Sequence, residues 1–279
     1  MIDNEAMVWP QIVAADSQFR FQSGISLFFP AYNDAPSLPA LLQRTFETLR
    51  RVAVDYEVIV VNDGSADDTG KILEELRQQY APLLRVVTHD RNCGYGAALR
   101  SGFAAATKEY IFYTDGDGQY DPAELEYLLR AATPATGLVN GYKAQRSDPW
   151  HRVAIGWLYN RFARWLFRIR LRDIDCDFRL IRRSVLALES LRSTGGTICI
   201  ELVRSIELSG SEVVEIPVNH YPRRYGRSQF FRVRSLVWTF LQLCEVFLRL
   251  VVRPALPSLG RRKRANECGT AAVKTLRTR

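Results

Sequence analysis

The chain has 279 residues, enough for one large α/β domain or two small ones. Hydrophobic residues make up 47% and charged residues 24%, which excludes a disordered or collagen-like chain. The net charge of +8 is unevenly spread: residues 1–142 hold 11 basic and 19 acidic side chains, residues 143–183 hold 11 and 4, and residues 253–279 hold 8 and 1. An acidic first half followed by a basic second half points to a cation site facing an anion site, not to a uniformly basic nucleic-acid binder.

The five cysteines are odd in number and have neither metal nor redox spacing, which argues for a reducing compartment. The acidic N-terminus lacks the apolar core of a secretory signal. No uninterrupted apolar stretch reaches the ~18 residues expected of a spanning helix.

In chain order, Ile25–Phe29 reads as a core strand ended by Pro30, and Pro36 opens a helix to about Arg51. Glu57–Val61 has the β-branched character of a buried parallel strand. Asn62-Asp63-Gly64-Ser65 breaks it, and Asp67 or Asp68 caps a helix to about Tyr80. Leu84–Thr88 is a third strand. Cys93-Gly94-Tyr95-Gly96 then leads into the small-residue helix Ala97–Ala106. Its lone Gly-x-Gly follows the third strand rather than the first, which favours a tight turn with close helix packing over a dinucleotide site. Tyr110–Thr114 is a fourth strand, and Pro122 opens another helix. This alternation predicts a parallel sheet with ligands beyond the carboxyl ends of its strands. Three polar clusters fall at those ends: Asn33-Asp34, Asn62-Asp63, and Asp115 with Asp117.

The second half is less regular. Trp150–Ile169 reads as a basic amphipathic helix, with Ile155, Leu158, Phe162, Trp165 and Ile169 opposite Arg152, Arg161, Arg164 and Arg168. Phe178–Ile181 reads as a strand, Cys199–Ser209 as a helix, Val213–Val218 as a strand, and Phe230–Val252 as a long apolar helix.

Asp115-Gly116-Asp117-Gly118-Gln119 places two carboxylates and an amide just after a buried strand, a set that holds Mg2+ or merely forms an Asp/Gly turn. A calcium loop is disfavoured, because Tyr120 stands where that loop needs glycine. Arg223, Arg224 and Arg227 surround Gly226, either as a phosphate-binding loop or as a solvated turn. Asp173, Asp175 and Asp177 lie between arginines. His89, His151 and His220 have no ligand spacing and read as structural.

Taken in order, these pieces resemble the family-2 inverting glycosyltransferases, in particular the dolichol-phosphate mannose synthase-like and bacterial polyprenyl-phosphate group. The matching stretches are Phe29–Asp34, Val61–Asp67, Asn92–Ala98, Asp115–Gln119, Asp173–Arg183 and Arg223–Ser228, within about residues 24–235. The resemblance implies a GT-A fold, α/β and Rossmann-like, with a mostly parallel sheet flanked by helices. It implies that Pro30, Tyr32 and Asp34 line the nucleotide pocket, that Asp63 binds the nucleoside, and that Asp115 lies near ribose and metal. Asp117 and Gln119 would coordinate Mg2+ or Mn2+. Arg146 and Arg223 match positions that handle phosphates, and Arg223 with Ser228 fits the family's Arg-x-x-Gly-x-Ser spacing, while Arg224 is offset by one. Asp177 stands where many members have a small residue.

The expected reaction moves a sugar from a UDP- or GDP-linked donor to a polyprenyl-phosphate acceptor, with inversion. A lipid phosphate is already ionised near neutral pH, whereas a saccharide or small-molecule hydroxyl acceptor would need Asp173 or Asp175 as a base. A non-catalytic nucleic-acid-binding protein is the third reading, and no recognition motif supports it. In Phe230–Val252 the polar residues Arg232, Ser235, Thr239, Gln242, Glu245 and Arg249 form one narrow stripe, which suits a helix in a bilayer interface, in a subunit contact of an oligomer, or buried in the protein's own core, as the helix 150–169 also could be. With the basic end of the chain, this predicts a cytoplasmic protein held peripherally on the anionic inner face of a membrane. The expected organisation is an N-terminal extension (1–23), a catalytic domain (24–229), an amphipathic helix (230–252) and a basic tail (253–279).

Overall fold

The computed structural model describes residues 18–146, 150–223 and 241–252, with side chains described outside 145–155. Residues 1–17, Arg224, Ser228, residues 230–240 and the tail 253–279 therefore lie outside the described residues, as do the side chains of Arg146, His151, Arg152 and Ile155.

The elements are β1 (Ile25–Ala31), α1 (Leu38–Val52), β2 (Tyr56–Asn62), α2 (Thr69–Gln79), β3 (Leu84–Thr88), α3 (Tyr95–Ala105), β4 (Tyr110–Thr114), α4 (Leu125–Ala131), β5 (Thr136–Arg146), α5 (Trp150–Phe167), β6 (Phe178–Arg182), α6 (Ile198–Leu208) and β7 (Glu212–His220). A helical segment 241–252 ends in a π turn, Leu248–Val252. Among the described residues, no helix is long and apolar enough to cross a membrane.

The seven strands form one sheet in the order β3-β2-β1-β4-β6-β5-β7. β1 runs parallel to β2 and β4, β2 to β3, and β5 to β7, while β6 is antiparallel to both β4 and β5. The sheet is thus mostly parallel, as expected, with one reversed strand. The reversal has a consequence for the site: β6 begins where β4 ends, with Phe178 opposite Thr114, so the loop 173–177 arrives at the same edge as the loop after β4.

Strand residues alternate between two cores, as the period of two requires. Ile25, Leu27 and Phe29 of β1 and Val58 and Val60 of β2 pack with α1, α2 and α4. Phe28, Ile59 and Val61 pack with α3, α5, α6 and the segment 241–252.

β1 does not stop at Pro30 as expected but runs on to Ala31. The ladder to β4 has already ended at the pair Phe28–Tyr113, and the Pro30 carbonyl on that side accepts from Gly116 N–H (3.3 Å). The missing proline N–H thus forfeits no strand bond.

Two helical segments turn polar side chains inward. In α5 the buried residues are Asn160, Ala163 and Phe167, while Leu158, Phe162 and Trp165 are exposed. In 241–252, Gln242 is buried and bonded to Thr194 and Thr197, and Arg249 pairs with buried Glu201. Leu241 and Leu248 face outward instead. Gln242 and Arg249 of the polar stripe thus join an internal hydrogen-bonding seam, while Glu245 is exposed.

Candidate active site

The loops after β1 and β2 are stitched together. Asn33 N–H donates to Ser65 Oγ (3.0 Å), Ala66 N–H to Asn33 Oδ1 (2.9 Å), and Asp34 N–H to Thr69 Oγ1 (3.1 Å). Asn33 has φ of 56°, a left-handed turn that asparagine tolerates. It sets Tyr32, which is exposed, and Asp34, whose Oδ2 accepts from Tyr32 N–H (3.0 Å), on the lip of the sheet edge. Burial pushes Asp34 up to about 6, Tyr32 N–H opposes this, and nearby Asp117 adds to the rise. Asp67 caps α2 through Thr69 N–H (3.0 Å), as expected of this pair.

Asp63 is not an open acceptor at the edge. It is buried, its Oδ1 accepts from Cys93 N–H (2.9 Å), and its Oδ2 accepts from Gly94 N–H (2.9 Å). His89 Nδ1 lies 2.6 Å from the same Oδ1, and His89 Nε2 lies 2.8 Å from Ser101 Oγ. Sequence spacing missed this cluster because 26 residues separate Asp63 from His89. Its evident work is to fold the β3–α3 loop beside an open cleft of about 510 Å³ lined by Thr88, His89, Asp90, Arg91 and Cys93. Gly94 (φ 94°) and Gly96 seat that loop against the chain at 193–194, where a Cβ on Gly96 would stand 2.1 Å from the Ser193 carbonyl oxygen. The glycine pair serves close packing. Asp63→Ala is expected to lower the unfolding free energy by about 3 kcal/mol in urea, because buried amides lose an ionic acceptor. A loss near zero would show that the loop holds itself.

Asp115, Asp117 and Gln119 follow β4 directly. Tyr95 OH donates to Asp115 Oδ1 (2.9 Å). Asp117 Oδ1 accepts from Gln119 N–H (3.0 Å), and Asp117 Oδ2 pairs with the Arg223 guanidinium. Tyr221 N–H donates to the Gln119 carbonyl (2.8 Å), and Gln119 Nε2 donates to the Tyr221 carbonyl (3.1 Å). The segment after β7 is thereby clamped over the loop after β4. Arg146 ends β5 in register with His220, which brings its backbone to the same corner.

Burial, then Asp177 and Asp117, push Asp115 well above the usual carboxylate range. Like charges crowd there, and the donors are hard oxygens: two carboxylates and an amide. Such a set fits Mg2+ or Mn2+, whose charge relieves that repulsion.

On the neighbouring side, buried Asp173 accepts from Asn160 Nδ2 (2.9 Å) and from Asp175 N–H (3.1 Å). Lys143 Nζ donates to the Asp175 carbonyl (2.8 Å). Burial pushes the Asp175 carboxyl up to about 7, with Lys143 opposing. Between about pH 4 and 7 the folded chain holds a proton on Asp175, and up to about pH 6 one on Asp34, that the unfolded chain has released. Stability therefore falls as pH rises through that window and levels off above it. Asp175→Asn is expected to flatten this decline in urea denaturation at about pH 4.5 and 7.5. An unchanged decline would contradict the assignment.

Beneath lies a group that the sequence left unexplained. Arg179 is fully buried, donating to Asn140 Oδ1 (2.7 Å), to Tyr113 OH and to the Ile174 carbonyl, and pairing with Asp177 (3.0 Å). Tyr113 OH (3.2 Å) and Cys199 Sγ (3.2 Å) also donate to Asp177.

The family model of glycosyl transferase family 2 matches residues 26–188, more than half of the chain, and includes Asp115, Asp117 and Gln119. The chain belongs to glycosyl transferase family 2. Over 212 residues it is 28% identical to the undecaprenyl-phosphate 4-deoxy-4-formamido-L-arabinose transferase of Enterobacter sp. (strain 638), covering 76% of this chain and 64% of that protein. The family-2 chain thus spans just under two thirds of that relative's length.

Its fold matches the GT-A architecture of solved structures. One is glucosyl-3-phosphoglycerate synthase from Mycobacterium tuberculosis, in complex with Mn2+, UDP and glucosyl-3-phosphoglycerate (TM-score 0.62, 18% identity, 85% of this chain and 82% of that one). Another is a mannosyltransferase from Pyrobaculum calidifontis in complex with GDP-Man and Mn2+ (TM-score 0.56, 20% identity, 82% and 66%).

Proposed function

We propose that this family-2 chain is a metal-dependent, inverting glycosyltransferase that moves a sugar from a UDP- or GDP-linked donor to a polyprenyl phosphate at the cytoplasmic face of a membrane. One observation carries the reading: Asp117, at the end of β4, meets Arg223, from the segment after β7, at a sheet edge that also gathers Asp34 and Asp115. Carboxylates for a cation and a guanidinium for phosphate meet at this one edge. The arabinose-transferase relative, which its name places on undecaprenyl phosphate, supports the acceptor class. The Mn2+ complexes of the structural neighbours support the metal.

Pro30, Tyr32 and Asp34 form the nucleotide lip. Asp63 acts on the nucleoside by fixing the loop beside the cleft rather than as a free carboxylate. Asp115, Asp117 and Gln119 hold the divalent ion, which when bound offsets the charge that builds on the departing diphosphate. Arg223 gives up Asp117 and turns its planar fork to phosphate oxygens. Arg146 and Ser228 complete the phosphate side by their matches to the family pattern.

An acceptor phosphate arrives ionised, so its oxygen attacks the anomeric carbon without a base, and in-line displacement inverts that carbon. Asp173, held by Asn160, and Asp175 shape the acceptor side. Asp175, up to about 7, also suits a hydroxyl acceptor that must give up a proton, which is the second reading.

Arg223→Lys tests the assignment. Lysine keeps the charge and loses the fork, so kcat is expected to fall about 10- to 100-fold with nucleoside diphosphate affinity nearly unchanged by calorimetry. Near-normal kcat, or a larger loss from Arg224→Lys, would move the phosphate contact elsewhere.

A further inference from the structure

Helix α5 has an inner face of Asn160, Ala163 and Phe167 and an outer face that nothing in the described protein covers. On the outer face Trp157, Leu158, Phe162 and Trp165 are 60, 63, 43 and 75% exposed. The Phe162 and Trp165 rings lie 6.3 Å apart. Arg161 and Arg168 are exposed too, and the Arg161 guanidinium lies 5.8 Å from the Trp157 ring centroid. Four large apolar side chains left in water on one ridge mark a surface that something covers.

Charge identifies the occupant. From Trp150 to Arg172 the chain has six arginines and no Asp or Glu. A two-fold contact between copies would set this arginine-rich ridge against itself. An acidic, flat, apolar-backed surface instead satisfies every group at once. Arginines meet anionic headgroups, while tryptophan rings enter the boundary between headgroup and acyl chain, where they are favoured. We propose that the Trp157-Leu158-Phe162-Trp165 face of α5, with Arg161 and Arg168, docks the protein on an anionic lipid bilayer.

The inference deepens the acceptor reading and rests on it for its purpose. Asn160, on the inner face of the same helix, holds Asp173. The docked face therefore lies one helix width, about 10 Å, from the acceptor-side carboxylates. A lipid phosphate at the headgroup plane arrives on the side of the molecule that holds Asp173 and Asp175.

The test is co-sedimentation of the full chain with vesicles of phosphatidylglycerol and phosphatidylcholine, against phosphatidylcholine alone, at low salt. The parent should bind the anionic vesicles. Trp157→Ser with Trp165→Ser should bind them at least about ten-fold more weakly. Arg161→Glu with Arg168→Glu should do likewise and lose most of the salt dependence. These side chains are exposed, so melting temperatures should match the parent; Leu158→Ser with Phe162→Ser carries the same expectation should the tryptophan pair unfold.

A parent that stays in the supernatant, or a tryptophan variant that binds like the parent, overturns the proposal. So does a parent dimer in sedimentation velocity that the tryptophan variant abolishes, which would assign the face to a second copy. Turnover on a short-chain, water-soluble polyprenyl phosphate separates this from the function. The tryptophan variant should keep it, and a parent that lacks it refutes the acceptor while the vesicle result stands.

Discussion

Asp117→Asn is expected to fold as the parent does and to lose turnover by about 10²- to 10³-fold, the range seen when a group aimed at developing transition-state charge is removed. Asparagine retains an oxygen to accept the Gln119 N–H, so the turn after β4 survives. It loses the anionic oxygen that faces Arg223 and that a hard cation requires. Arg223 is part-exposed and turns to solvent without large cost. The loss should therefore appear in kcat, and titration with Mg2+ or Mn2+ should need far more ion to reach its plateau. Near-parental turnover at limiting metal would refute the assignment of Asp117.

Asp177→Asn is expected to be the most destabilising of the changes considered, by about 3–5 kcal/mol, the usual result of stranding one member of a buried ion pair. Arg179 has no exposure at all, and Asp177 is its ion-pair partner among the described residues. Tyr113, Asn140 and the Ile174 carbonyl bond the guanidinium but do not neutralise it. Pairing Asp177→Asn with Arg179→Met removes the stranded charge and should recover much of the loss in urea denaturation. Equal stability of the single variant and the parent would show that the hydrogen bonds alone carry Arg179. The loop 173–177 depends on this anchor, so the placement of Asp173 and Asp175 depends on it too.

The first half of the molecule was legible because its signals are local. Val58 to Val61 alternate between two cores along an uninterrupted β-branched run, and Pro and Asp mark the helix starts nearby. The Asp115–Gln119 loop was legible for the same reason: two carboxylates directly after a buried strand.

The second half depends on partners distant in sequence. β5 escaped notice because Gly137, Asn140, Gly141 and Lys143 dilute its alternation, yet Asn140 is there to receive Arg179. β6 reads as a strand in either direction, and only its neighbours fix it as antiparallel. In α5 the apolar periodicity does not mark the inward face, where Asn160 is justified by Asp173, a residue outside the helix. Gln242 and Arg249 read only as part of a narrow polar stripe, and it is Thr194, Thr197 and Glu201, all distant in sequence, that turn them inward. The Asp63–His89 contact, 26 residues long in sequence, has no local signature at all.

The central claim is transfer of a sugar to a lipid phosphate by a single displacement. The direct measurement incubates the full chain with sugar-labelled UDP and GDP donors, Mn2+ or Mg2+, and undecaprenyl phosphate, and follows label and anomeric configuration in the organic phase. The account predicts metal-dependent passage of label into the lipid fraction, with the new glycosyl phosphate inverted relative to the donor. Label that reaches only water or a hydroxyl acceptor, or a lipid product that retains the donor's configuration, would contradict it.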